Sequence, residues 1–133
     1  RHRTATMHRR NLLLLATLGL AAAAAANAQL RRNFPADSLR GKLAIEQPPL
    51  AMLNGEQARL APGARIRGQN NMLATTGAFA GQAFVVNYTI DMQGQIKEVW
   101  VLTDEEIARL WPATREQAAS WRFDPGTQTW AKP

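Results

Sequence analysis

Three consecutive carboxylates, Asp104, Glu105 and Glu106, are the densest group of side chains here that could do chemistry. Paired carboxylates can act as general acid and base when their surroundings split their protonation states. These three instead open a helical stretch, where negative charge suits the positive end of the helix dipole. Ser38 and Ser120 are the only serines, and neither stands in a strand-to-helix nucleophile turn. Both histidines, His2 and His8, lie at the extreme N-terminus, and there is no cysteine. Ser-His-Asp and Cys-His nucleophile systems therefore have no base in the main body, and the usual zinc and copper ligands are missing. No cofactor is implied, and the expected activity is binding, not catalysis.

Four tryptophans, Trp100, Trp111, Trp121 and Trp130, remain as recognition candidates. An indole can form a stacking platform for a sugar or an aromatic group, but it also buries a large area in a small core. Trp121 reads as core. Trp100 points away from Ile96, Val99 and Val101, which suits a surface or second-layer contact with a partner. Arg65 and Arg67 flank Ile66 on one strand face and could meet an anion or an acidic partner, although a solvated strand face has the same pattern.

The segment that precedes these residues reads as an address. Arg9-Arg10 lead into an apolar run from Leu12 to Ala26 of about fifteen residues, shorter than the roughly 20 that span a bilayer. Ala26-Asn27-Ala28 then supplies small residues before a cut, so residues 1–28 are expected to be a cleavable signal peptide and Gln29 the mature start. The expected destination is the periplasm or the exterior. The Arg-Arg pair also fits the twin-arginine pattern, with general secretion the plainer account. Met7 is a second candidate start site. Without a cysteine at the cut, no lipid is attached, and no membrane helix is retained.

That cut changes the charge balance. The whole chain carries 16 Lys and Arg against 10 Asp and Glu, a formal +6. Arg1, Arg3, Arg9 and Arg10 leave with the signal, which brings the balance to twelve against ten, or +2. Net charge therefore makes no case for nucleic acid. The roughly 105 residues left suffice for one small domain held by packing without disulfides.

Residues 29–40 read as a flexible lead-in and 41–126 as the domain. Leu43 and Ile45 alternate with Lys42, Ala44 and Glu46, a half-buried strand ended by Pro48-Pro49. Asn54-Gly55 marks a tight hairpin and Pro62-Gly63 a second turn. Short strands are expected at Ala64–Arg67 and around Met72 to Thr76. Phe84, Val86, Tyr88 and Ile90 share one strand face, Asp91–Gly94 turns the chain, and Ile96, Val99 and Val101 return. Ile96 and Val99 are three apart, so a β-bulge is expected at Lys97-Glu98. Short helices are expected over 104–110 and 114–120, the second with a Thr114–Gln117 cap. Asp124-Pro125-Gly126 is a turn and 127–133 a polar tail. The expected fold is a sheet-rich α+β domain around the antiparallel hairpin 84–103, with a small OB- or SH3-like β-barrel as the alternative.

FVVNYTIDMQG, QIKEVWVL, a helical stretch and then Trp121-Arg122-Phe123-Asp124-Pro125 together resemble the C-terminal domain of TonB-type periplasmic proteins over residues 83–126. The resemblance makes Trp121, Phe123 and Pro125 a structural signature, with the Trp121 indole expected on the inner face of the hairpin near Phe84, Val86 and Val99. It also implies a binding fold that accepts an extended segment of another envelope protein by sheet addition. The family continues past its Pro-Gly turn into a further apolar strand, whereas Thr127–Pro133 is short and polar. Residues 39–80 lie outside the match.

Overall fold

Of the residues set inward by strand alternation, Leu43, Ile45, Val86, Tyr88, Ile96, Val99 and Val101 are buried in one core, and Phe84 and Ile90 pack against it partly buried. A computed structural model of the chain describes residues 31–133 and shows how they meet. The expectations for the signal peptide, the cut and the start site fall on residues 1–28, outside the described part. The unit described below runs from Asn33 to Pro133.

The strands are β1 (Leu39–Ile45), β2 (Leu50–Leu53), β3 (Glu56–Arg67), β4 (Leu73–Ala74), β5 (Ala83–Ile90) and β6 (Ile96–Val101). Their order is β2-β1-β5-β6-β3-β4, and β2 also pairs with β3. The sheet therefore closes through five strands, with β4 as a sixth attached to β3. β3 and β6 run parallel and the other pairs antiparallel. The domain is sheet-rich with two short helices, as expected, and the closed five-stranded sheet fits the small-barrel alternative. Closure leaves the barrel strands no long free edge, a stable solution for a small all-strand core.

Local signals act as expected at the turns. Asn54 (φ 54°) and Gly55 (φ 82°) both take left-handed backbone and join β2 to β3. In the β5–β6 hairpin Ile96 pairs with Ile90 and Glu98 with Thr89, so Lys97 is the extra residue and both Ile96 and Val99 face inward. Pro62-Gly63 behaves differently. β3 continues through it, with Gly63 at φ 76° and the register to β6 shifting between Leu60 and Arg65. The pair bends one long strand around the barrel instead of separating two.

Gly41 marks the tightest approach in β1. A Cβ there would lie 3.0 Å from Asn54 Oδ1 and 3.0 Å from Tyr88 Cε1. Asn54 cannot move freely, since its Oδ1 accepts from the Lys42 N–H at 2.9 Å. Gly41→Ala is expected to destabilise by about 1–3 kcal/mol, the usual scale of overpacking. A urea midpoint equal to that of the wild type would contradict this packing.

The chain outside the barrel builds a second core on the outward face of β5 and β6. α1 (Asp104–Ala108) is capped by Thr103, and α2 (Arg115–Ser120) by Thr114, which accepts from the Gln117 N–H. β7 (Arg122–Asp124) and β8 (Thr129–Ala131) form a separate antiparallel hairpin. Phe34, Trp100, Leu102, Trp111 and Trp130 are buried together here, with Val85, Ala118, Trp121 and Phe123 partly buried against them. The rings meet mostly edge to face, Trp111 lying 5.6 Å from both Phe34 and Phe123 and 5.8 Å from Trp130.

Several expectations are corrected by this layer. The lead-in is not free from Phe34 onward, because Phe34 is core, Ser38 is fully buried and β1 starts at Leu39. The tail is not free either, since it contains β8 and the buried Trp130. Trp121 is not under the hairpin beside Phe84, Val86 and Val99. It stands outside the barrel, half-buried, with Lys132 Nζ 5.6 Å from its ring centre. The domain accordingly extends past 41–126 at both ends.

Candidate functional site

Asp104, Glu105 and Glu106 serve the helix start. The Glu106 N–H donates to Thr103 Oγ1 at 3.3 Å, and Glu106 Oε1 accepts from the Thr103 N–H at 2.9 Å. This reciprocal box buries Glu106 and occupies its carboxylate. The two serine hydroxyls donate to backbone carbonyls, Ser38 to Pro35 at 2.6 Å and Ser120 to Gln117 at 3.3 Å. Among the described residues no group of three or more His, Cys, Asp or Glu is placed to hold a metal ion.

Arg40 is a polar anchor that strand alternation did not single out. Its Nε donates to Asn87 Oδ1 at 2.8 Å, and its two terminal nitrogens donate to the carbonyls of Glu106, Ile107 and Arg109 at 3.1–3.2 Å. These carbonyls close α1, so one guanidinium ties β1 to β5 and caps a helix end. Burial pushes Arg40 below its ordinary pKa, and the nearby Glu106 charge opposes that shift. Asn87 is fully buried, and its Nδ2 has no hydrogen-bond partner among the described residues. Nothing local in Leu39-Arg40-Gly41 signals this role, because the groups that Arg40 meets lie 47 or more residues away in sequence.

Arg65, Arg67 and Trp100, the expected partner contacts, are brought to one place. The parallel β3–β6 register sets Arg65 beside Glu98 and Arg67 beside Trp100. Together with Glu98 and Val99 they line a cleft of about 30 Å³, roughly the volume of one water. Arg67 Nη1 donates to the Asn71 carbonyl at 3.0 Å. Trp100 is only 8% exposed and packs 5.8 Å from Phe34, so its ring belongs to the outer core and is not offered to a ligand. The signature residues divide similarly, with Phe123 in the aromatic layer and Pro125 exposed in the β7–β8 turn.

A larger opening lies at the barrel end where β6 stops. The β5–β6 ladder ends with Val101 opposite Val86, and the Leu102 N–H donates to the Val85 carbonyl at 3.1 Å. Ala83 and Phe84 of β5 continue with β1 on one side only. Between them and β4 is a groove of about 630 Å³, floored by Phe79, Phe84 and Val101 and flanked by Met72 and Leu73. Phe79 and Phe84 meet edge to face at 5.2 Å, which holds the floor in place. Gln69 and Asn70 form the polar rim. Gln69 Nε2 donates to the Leu102 carbonyl at 3.0 Å, and Asn70 Oδ1 accepts from the Met72 N–H at 3.0 Å.

Two features suit this groove to ligands. Its volume is within the range of small-molecule and peptide sites, and its lining includes no titratable side chain. Met72 and Leu73 are 67% and 59% exposed, large apolar groups held in water beside it. β4 pairs only with β3, so its second edge has no strand partner among the described residues. Sequence reasoning placed a short strand near Met72 but had no signal for the groove, whose floor comes from β5, β6 and the 3-10 turn Thr76–Phe79.

No protein-family model, no curated protein and no solved structure matches this chain.

Proposed function

We propose that this protein is an exported, non-catalytic binding module that takes an extended apolar segment of another envelope protein into the groove beside β4. The observation that carries the proposal is the groove itself, with an apolar floor, an amide rim and the free edge of β4 along one side. An added strand would satisfy its own backbone on β4 while alternate side chains reach Phe79, Phe84 and Val101. Sheet addition is also the mode implied by the TonB-like resemblance. Export rests on the basic start, the apolar run and the Ala26-Asn27-Ala28 cut.

A second reading, a glycan ligand, is favoured by the connectivity. The order β1-β2-β3-β6-β5, with its one parallel pair between β3 and β6, supports an OB-like reading of the barrel. OB barrels bind oligosaccharides and oligonucleotides against their second and third strands.

A blocked hexapeptide of alternating Val and Thr provides the test, followed by amide chemical shifts. Shifts are expected at Leu73, Ala74, Ala83 and Phe84. Leu73→Asp should weaken binding by about tenfold or more, since an apolar contact worth roughly 1.5–3 kcal/mol is lost. Leu73 is exposed, so the variant should fold normally. Saturable shifts on β2 and β3 with a neutral oligosaccharide, and none with the peptide, would favour the glycan reading. No saturable shift with either ligand would overturn both.

A further inference from the structure

The opposite end of β5 carries a different kind of opening. A cleft of about 490 Å³ lies against the β5–β6 turn, lined by Ile90, Asp91, Met92, Gly94, Lys97 and Arg115. Its two cations come from separate elements: Lys97 is the bulged residue of β6, and Arg115 is the first residue of α2. The bulge matters here because regular alternation would shift the residues on one side of Lys97 to the opposite face. Among the described residues neither side chain has a hydrogen-bond or ion-pair partner. The Tyr88 phenol, raised by burial, is partly lowered by the Arg115 charge, which sets that guanidinium close to the barrel end.

The turn that lines the cleft is well held. Asp91 Oδ1 accepts from the Gln93 and Gln95 N–H groups at 2.9 Å each, and the Gly94 N–H donates to the Asp91 carbonyl at 3.1 Å. Asp91 therefore cannot swing out to neutralise Lys97 or Arg115, yet its charge stays in the cleft. With two positive groups and one negative, the cleft carries a net charge of +1. Net charge makes the cleft a site for anions in general, and the apolar Ile90 and Met92 in its lining select an acid carried on an organic group over inorganic phosphate. A guanidinium fork matches a planar carboxylate, an ammonium adds a point charge, and Ile90 and Met92 offer apolar contact to whatever carries the acid. The volume exceeds what a bare ion fills and falls within the range for a small organic ligand.

We infer that the cleft at the β5–β6 turn is a binding site for an organic carboxylate, held between Lys97 and Arg115. The site is independent of the β4 groove at the other end of the barrel. The acid could belong to a peptide or to a uronic sugar, and the two sources are separable by experiment.

The test is titration of the full domain at low salt with N-acetylleucine, glucuronate and inorganic phosphate, followed by amide shifts. Saturable shifts are expected at Gly94, Lys97 and Arg115 with one or both carboxylates, and the tighter of the two identifies the source. Lys97→Gln with Arg115→Gln should weaken binding by about fivefold or more, the scale of two exposed charge contacts. Both residues are exposed, so the double variant should keep its fold and its groove. Asp91→Asn keeps the turn acceptor while removing its charge, and should tighten carboxylate binding about two- to fivefold. The inference is overturned if no carboxylate gives saturable shifts, if the double variant binds equally well, or if Asp91→Asn binds no tighter. Phosphate binding tighter than either carboxylate would overturn it as well.

Discussion

Trp111→Ala is expected to leave the domain largely unfolded at room temperature. Trp111 is 6% exposed and joins three rings, Phe34, Phe123 and Trp130, at the centre of the outer core. Its Nε1 donates to the Ser38 carbonyl at 2.8 Å across 73 residues of sequence, which fixes the segment before β1 to the segment after α1. Arg40 strengthens the same join, its N–H donating to the Pro112 carbonyl at 2.8 Å. Removing a buried Trp side chain costs about 3–5 kcal/mol. Leaving a buried carbonyl without its donor adds about 1–3 kcal/mol. Whole domains have only about 5–15 kcal/mol to lose, and this one has no disulfide in reserve. Trp111→Phe keeps most of the apolar contact and loses the hydrogen bond, so it should fold with a lowered urea midpoint. Near-UV circular dichroism and urea midpoints on both variants decide the matter. A Trp111→Ala protein that melts like the wild type would mean the outer layer is not a second core.

Trp130→Ala should rank next, and well above Trp121→Ala. Trp130 is 8% exposed and packs 4.8 Å from Phe123 as well as against Trp111. Its buried Nε1 has no hydrogen-bond partner among the described residues, so the cost is packing, about 3 kcal/mol. Trp121 is half-buried beneath Lys132, and its truncation should cost about 1–2 kcal/mol. This order reverses the one that SWRFDPG and the polar tail suggest. Thermal melts of the two single variants, run side by side, test it. A larger loss for Trp121→Ala would put the centre of the outer core at the wrong residue.

The reversal shows what kind of information each stretch holds. Trp130 is hidden in sequence because Gln128, Thr129 and Lys132 surround it and a strand of three residues is too short to alternate. Phe34 is hidden by Pro35 and the charged residues before it. Arg40 reads as the last polar residue of a flexible lead-in. In each case the deciding partner is distant, and local composition reports polarity without reporting what will cover it. The candidate site was legible only in its residue types. Arg65, Arg67 and Trp100 do meet, but a parallel pairing of β3 with β6 brings them together, and a layer built from both chain ends takes Trp100 away.

By itself the sequence determined the local elements: most of the inward set on β1, β5 and β6, the left-handed Asn54-Gly55 turn, the bulge at Lys97, the acidic first turn of one helix and the Thr114 cap of the other. These follow from side-chain period, positive-φ tolerance and capping chemistry, which act over a few residues. Tertiary structure alone decided that β2 and β6 would both join β3 and close the sheet, that Pro62-Gly63 would bend a strand instead of ending it, and that the outward face of β5 would be covered. It also decided where the groove and the carboxylate cleft would open. The physical reason is that apolar periodicity says which side chains leave water but not what they pack against. Pairing and closure are chosen by the whole set of faces that must be buried at once.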